Sequence, residues 1–343
     1  MEKVISKAGL PLGWLVIAVL AIVAFFATAN GQAVSRVESV GFTVSDMDRL
    51  LDFYTRVLPF EKTADTEVWG SEFEKLSGVF GARVRIVRLR LGDEVLELTE
   101  YLAPQGRPIP ADWRSNDRWF QHVAIIVADI DKAYAHLRAN KVRHASSGPQ
   151  TLPAYVTAAA GISAFYFKDP DGHILEVLSF PPDKGARKWH ELKKSGRLFL
   201  GIDHTAIVVG DTEASLKFYR DALGLAVAGE SMNYGPEQEH LNNVAGARLR
   251  ITGLKTEEPG SNVEFLEYLS PRDGRPYPAD SRSNDLWHWQ TSFQVDAIGA
   301  LFEKFKPNYI SSGPVLFENS EPGFREASLV RDADGHAVRF IAK

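Results

Sequence analysis

The sequence predicts an α+β protein of four βαβββ modules, arranged as two tandem domains behind an N-terminal hydrophobic leader. Three observations carry that prediction: a long internal duplication, a strand–helix–strand rhythm repeated inside each half, and a charge-free run near the start. A length of 343 residues also exceeds the usual size of one hydrophobic core and favours two domains.

The leader comes first. Lys3 and Lys7 precede an uncharged stretch that lasts to Arg36, with WLVIAVLAIVAFFATA over 14–29 as its centre. Small residues at Ala27-Thr28-Ala29 and Gly31-Gln32-Ala33 suit a signal-peptide cleavage site. Leu10 to Ala29 is also about long enough to span a bilayer core as an anchor. Residues 1–33 are therefore read as a signal peptide or membrane anchor, with cleavage favoured. On either reading the bulk of the chain is exported: periplasmic, extracellular or held at the outer side of a membrane through this segment alone.

In the first module Val40 to Val44 reads as a strand, Ser45-Asp46 as a helix cap, and Leu50, Leu51, Phe53, Tyr54 and Leu58 as a helical stripe. Strands follow at Val84 to Leu91 and Val95 to Tyr101. His122 to Val127 restarts the pattern. A helix around Ala133, Tyr134 and Leu137 follows, then strands at Gly161 to Phe167 and His173 to Leu178. This places one domain over 36–180, a polar linker over 181–198, and a second domain over 199–343.

The second half repeats the first. YLAPQGRPIPADWRSNDRW over 101–119 returns as YLSPRDGRPYPADSRSNDLW over 268–287. Gly81-Ala82-Arg83-Val84-Arg85 returns as Gly246-Ala247-Arg248-Leu249-Arg250, and Ser146-Ser147-Gly148-Pro149 as Ser311-Ser312-Gly313-Pro314. Asp169-Pro170-Asp171-Gly172-His173 returns as Asp332-Ala333-Asp334-Gly335-His336. A tandem repeat of this kind needs no second chain, so a monomer is expected.

Composition narrows the chemistry. A net charge of −5 and no basic tract among aromatics argue against nucleic acid as a partner. The chain has no cysteine, which excludes disulfides, thiolate metal sites and a cysteine nucleophile. Any metal must be held by His, Asp or Glu.

His204-Thr205-Ala206-Ile207-Val208-Val209, followed by Ser215, Phe218-Tyr219 and Leu223-Gly224-Leu225, resembles the opening module of glyoxalase I and its relatives. Asp171-Gly172-His173-Ile174-Leu175-Glu176 resembles the closing strand of the same vicinal-oxygen-chelate superfamily, which also holds extradiol dioxygenases and drug-binding proteins. The likeness covers nearly everything after Val37. It implies a divalent metal (Ni, Zn, Co, Mn or Fe(II)) inside a curved sheet made by two modules. Each module gives one ligand from its first strand and one from its last. By position the four modules offer Ser39 and Glu100, His122 and Glu176, His204 and Glu267, and Gln290 and Arg339.

Joined in sequence order, the modules give two incomplete sets. Joined crosswise, the second and third give His122, Glu176, His204 and Glu267, a complete metal set. The first and fourth then face each other with Glu100 beside Arg339, an ion pair in place of a cation. The crossed arrangement is favoured, with one working site and one degenerate one. His173 and His336, each after Asp-Gly, read as turn residues, and Glu97 and Glu264 as solvent-facing. Arg83, Arg85, Arg248 and Arg250 read as solvated strand residues.

The implied function is an exported, metal-dependent isomerase or epimerase of glyoxalase type. Its substrate would be a small molecule with two vicinal oxygens, reacting through a chelated enediolate. Glu176 or Glu267 would be the base. The alternatives are an Fe(II) extradiol-type dioxygenase and a metal-free protein that sequesters a small molecule.

Overall fold

The computed structural model describes residues 34–305, 308–318 and 323–342. The leader expectation falls on residues 1–33, outside the described residues. Among the described residues no helix is long and apolar enough to cross a membrane.

The first module runs β1 (Arg36–Val44), α1 (Met47–Asp52, continued by a π turn over Phe53–Val57), β2 (Glu61–Trp69), α2 (Ser71–Ser77), β3 (Arg83–Leu91) and β4 (Glu94–Ala103). The second has β5 (Gln121–Val127), α3 (Ile130–Ala139), β6 (Arg143–His144), β7 (Gln150–Thr151), β8 (Ser163–Lys168) and β9 (Ile174–Ser179). A linker helix, α4 (Arg187–Leu192), precedes β10 (Phe199–Val209), α5 (Thr212–Leu216), β11 (Ala226–Tyr234), α6 (Pro236–Asn242), β12 (Arg248–Lys255) and β13 (Asn262–Ser270). The fourth module has β14 (Trp289–Gln294), α7 (Ile298–Lys304), β15 (Val315–Leu316), β16 (Glu326–Arg331) and β17 (Ala337–Ala342).

Local chemistry sets these boundaries. Asp46, Asp129 and Asp211 stand in extended backbone and accept the N–H three residues on, capping α1, α3 and α5. β2 and β11 carry no legible hydrophobic alternation because they are sheet edges with mostly exposed side chains.

The modules pair crosswise. One sheet has the order β15-β16-β17-β14-β1-β4-β3-β2, joining the fourth module to the first. The other has the order β11-β12-β13-β10-β5-β9-β8-β6, joining the third to the second. In each, the opening strands of two modules meet antiparallel at the centre: β1 on β14, and β10 on β5. One large core takes residues from both sheets and the helices, among them Phe42, Leu50, Ile125, Leu137 and Phe265. The inner faces carry separate clusters, around Phe73 and Val84 in the first sheet and around Phe120 and Leu249 in the second.

The duplicated 101–119 and 268–287 segments are the two crossings between sheets, and they clasp each other. Arg107 Nη2 donates to Asp285 Oδ2 at 2.7 Å, and Arg275 Nη2 to Asp117 Oδ2 at 2.7 Å. Each guanidinium also lies 4.7 Å from an indole centroid, Arg107 over Trp287 and Arg275 over Trp119. The crossings touch at glycine. A β-carbon on Gly106 would sit 1.8 Å from the Asn284 carbonyl oxygen, and one on Gly274 1.8 Å from that of Asn116. Gly106→Ala should cost more than ~3 kcal/mol, beyond ordinary overpacking, because backbone rather than a side chain must yield. Gly148→Ala, which meets nothing within 4 Å, should be close to neutral in the same urea titration.

The linker is less polar than its composition suggests, since α4 buries Trp189. His173 and His336 behave as turn residues: Asp169 accepts the N–H groups of residues 171–173 and the His173 ring, and Asp332 does the same in the second half. Arg85 and Arg250 are tied in exposed ion pairs, to Asp48 and Asp65 and to Glu213 and Glu230.

Candidate metal centre

The central strand pair of the second sheet puts His122 opposite Ala206 and His204 opposite Ala124, so both rings rise from one face. Parallel pairing of β5 with β9 sets Glu176 beside Ala124, on that same face. The three converge, with one ligand atom of each within 4.8 Å of the others. His122 Nε2 lies 3.2 Å and His204 Nε2 3.7 Å from Glu176 Oε2.

The fourth member of the group is Glu264. Its Oε1 lies 3.5 Å from His204 Nε2. Glu267, expected as the fourth ligand, is elsewhere: it pairs with Val209 and Arg250, three residues and therefore one face away from Glu264. There its Oε2 accepts the Thr212 N–H at the start of α5. Glu264 was missed because both faces of β13 are buried against apolar residues, so VEFLEYL carries no inside–outside alternation. The duplication could not separate them either, since Glu97 and Glu100 repeat the same pair.

A β-bulge completes the group. The β10–β5 register shifts between Ile202 and His204, leaving Asp203 as the extra residue. This lets neighbours in sequence serve one site: Asp203 Oδ2 contacts His204 Nδ1 at 3.0 Å, while Oδ1 accepts the Trp189 indole N–H at 2.7 Å. Asp203→Asn should weaken metal binding by about 10–100-fold, because the carboxylate fixes which His204 nitrogen faces inward. Titration with Co(II) or Zn(II) would read this directly.

The buried atoms fit a cation. Neither ring nitrogen of His122 nor Nε2 of His204 has a hydrogen-bond partner, although all three are buried. Donors 2.0–2.2 Å from one ion lie roughly 3.0–3.6 Å apart, close to the separations here. Electrostatics agree. Burial works against a charged His204 ring, yet Glu264, Asp203 and Glu176 outweigh it and raise its pKa to about 10. His122 is lowered, chiefly by burial. Glu264 is pushed up to about 7, again by burial first, although the nearby His204 opposes this. The site thus favours a positive charge at its centre.

Above this group opens a cavity of about 430 Å³, into which Glu176, His204 and Glu264 project. The corresponding face of the first sheet is closed, with a void of about 20 Å³. Ser39, Glu97, Gln290 and Arg339 occupy the four matching places, since Ser39 pairs with Ser292, Gly41 with Gln290 and with Glu97, and Ser292 with Arg339. Arg339 Nη1 meets Glu97 Oε1 at 2.7 Å, its Nε donates to Ser292 Oγ at 3.0 Å, and Phe324 lies beneath its guanidinium. The ion pair expected with Glu100 is thus made by Glu97. Glu100 repeats the part of Glu267, accepting the Met47 N–H at 3.3 Å at the start of α1. Glu97, expected to face solvent, is fully buried. Burial would raise its pKa, but Arg339 holds it below the usual carboxylate value.

The described residues thus combine paired βαβββ modules with a His–Glu–His group that could hold a metal ion beside a cavity. Residues 36–177 and 201–340 match the Glyoxalase/Bleomycin resistance protein/Dioxygenase superfamily, and the chain belongs to that family. It is 37% identical over 151 residues to a 2-epi-5-epi-valiolone epimerase of Actinomyces sp, covering 42% of this chain and 79% of that protein. It is 26% identical over 190 residues to a lactoylglutathione lyase of Arabidopsis thaliana, covering 54% of this chain and 53% of the relative. A glyoxalase I variant from Zea mays superposes with a TM-score of 0.57 at 17% identity, covering 90% of this chain and 94% of that one, which shows the fold alone.

Proposed function

We propose that the protein is a metal-dependent isomerase or epimerase that moves a proton at a carbon beside a carbonyl, in a small substrate with two neighbouring oxygens. The observation that carries this reading is the convergence of the buried His122 and His204 rings on Glu176, beside a cavity that Glu176, His204 and Glu264 line. His122, Glu176 and His204 would hold the ion, with Glu264 at the cavity side. When bound, a divalent ion supplies Lewis-acid polarisation of the substrate oxygens, which acidifies the neighbouring C–H.

The residues divide the remaining work. Glu176 sits between two histidines and is nearly fully buried, so it suits a fixed ligand. Glu264 is the more accessible carboxylate and faces the cavity, so it suits the base that takes the proton and returns it. This replaces Glu267, whose carboxylate is engaged at α5. Asp203 orients His204. The relatives named as an epimerase and a lyase of this family support the same reaction type.

The test combines metal analysis with solvent exchange. One divalent ion per chain is expected, because the first sheet holds an ion pair where a second would bind. The loaded protein should speed deuterium uptake at the carbon beside the carbonyl of 2-hydroxycyclohexanone by roughly 10²-fold or more, and a chelator should abolish this. A metal content near zero would favour the sequestering reading. A second enzymatic reading rests on the two-histidine, one-carboxylate make-up of His122, His204 and Glu176, which suits Fe(II) and oxygen. Catechol-dependent oxygen uptake by the Fe(II)-loaded protein, without proton exchange, would select it.

A further inference from the structure

The two halves differ at positions the metal group does not use. Asn233 stands 165 residues after Val68, Gln238 after Phe73, and Asn242 after Ser77. In the first sheet Val68 and Phe73 belong to a buried apolar cluster with Phe317 and Phe324. In the second sheet the same places carry a chain of buried amides. Asn233 Nδ2 donates to Gln238 Oε1 at 3.0 Å, Gln238 Nε2 donates to Asn242 Oδ1, and Asn242 Nδ2 donates to the Tyr268 hydroxyl at 2.7 Å. Ser231 Oγ donates to Asn233 Oδ1 at the outer end.

Burying Asn233 and Gln238 is costlier than burying Val68 and Phe73 in their places, so fold stability alone does not explain the exchange. The amides are also not exhausted by one another. A side-chain amide offers two N–H donors and two acceptor lone pairs, and the chain uses one donor on each nitrogen. Ser231, Asn233 and Gln238 line the cavity above the metal group, whereas Leu152, Ile162, Leu178 and Phe180 form its apolar side. The lining sets Glu176, Asp203 and Glu264 against Lys184 and His204, with Glu230 tied to Arg250, so its side chains leave no net positive charge to draw an anionic ligand.

We propose that the Ser231–Asn233–Gln238 wall recognises the hydroxyl groups of a neutral, polyhydroxylated α-hydroxy ketone of sugar or cyclitol size. Its C–H face rests on the apolar side, and its carbonyl and adjacent oxygen face the metal group. The inference rests on the isomerase reading and supplies its substrate class. Asn233 and Gln238 are the specificity-determining residues, and Val68 and Phe73 in the first half mark what the wall becomes when no ligand is recognised.

Calorimetric titration of the metal-loaded full-length protein tests this with two probes. scyllo-Inosose is a pentahydroxycyclohexanone, and 2-hydroxycyclohexanone keeps the chelating pair but lacks the other hydroxyls. The native protein should bind the inosose at least ten-fold more tightly. The ratio of the two dissociation constants should fall toward one in Asn233→Val, in Gln238→Leu and in the double variant. Ser231→Ala, at the half-buried end of the row, should lower the ratio a few-fold and covers the case in which the buried substitutions unfold the protein. A ratio near one in the native protein overturns the proposal, as does a folded double variant that keeps the native ratio. Proton exchange of 2-hydroxycyclohexanone reads the underlying function separately. Exchange with no preference sinks the polyol wall alone, and a clear preference without exchange supports the wall while overturning the isomerase chemistry.

Discussion

Metal content in His204→Ala is expected to fall to background, with affinity for Co(II) or Zn(II) reduced roughly 100-fold or more, beyond the loss from an outer partner. His122→Ala should behave alike. Both rings converge on Glu176, so removing either leaves Glu176 and Glu264 with one donor fewer. Two comparisons sharpen the expectation. Glu264→Gln should weaken metal binding and stop proton exchange, whereas Glu267→Gln should spare metal binding, since its carboxylate serves the α5 N–H of Thr212. His173→Gln should also spare it, because that ring is spent on Asp169 and the Leu286 carbonyl. Full metal stoichiometry in folded His204→Ala would remove the centre described here.

The second large effect lies in the degenerate site and concerns stability. Arg339→Met leaves Glu97 fully buried without its partner, and the loss should be about 3–5 kcal/mol near neutral pH. The double variant Glu97→Leu with Arg339→Met should recover most of that loss or exceed the native protein, because it removes both desolvated charges. The pH dependence separates this from a packing defect. In the native protein Glu97 titrates below its ordinary value of 4.5, so its contribution is present above that pH and fades as pH falls through the lowered value. Without Arg339 burial raises the Glu97 pKa, so the deficit of the single variant should grow as pH rises above 4.5 and shrink in acid. Urea midpoints at pH 5 and pH 8 give both arms, and a deficit independent of pH would refute the ion-pair account.

Much of this was legible in the chain itself. The duplication, the four modules and the asymmetric distribution of His204, His122 and Glu176 against Ser39, Gln290 and Arg339 are all written in residue order. Identity at both ends of a module survives without coordinates, because a ligand must be a particular residue type. Even the crossed pairing follows, since only that combination gathers the metal-binding types in one place and the mismatched types in another.

The choice between Glu264 and Glu267, and between Glu97 and Glu100, was made by the tertiary structure. In a strand buried on both faces, apolar residues flank every position, so the pattern says nothing about which glutamate points inward. Register against the neighbouring strand decides it: Ala206 opposite Glu264 places that carboxylate on the histidine face, and Val209 opposite Glu267 sends the other to a helix start. The bulge that turns Asp203 toward His204 is likewise a property of two strands, not one. The cavity has the same origin. A residue such as Asn233 or Gln238 reads as an ordinary polar residue of an edge strand or short helix until the fold places it beside the metal group and its counterpart, Val68 or Phe73, beneath a closed apolar face.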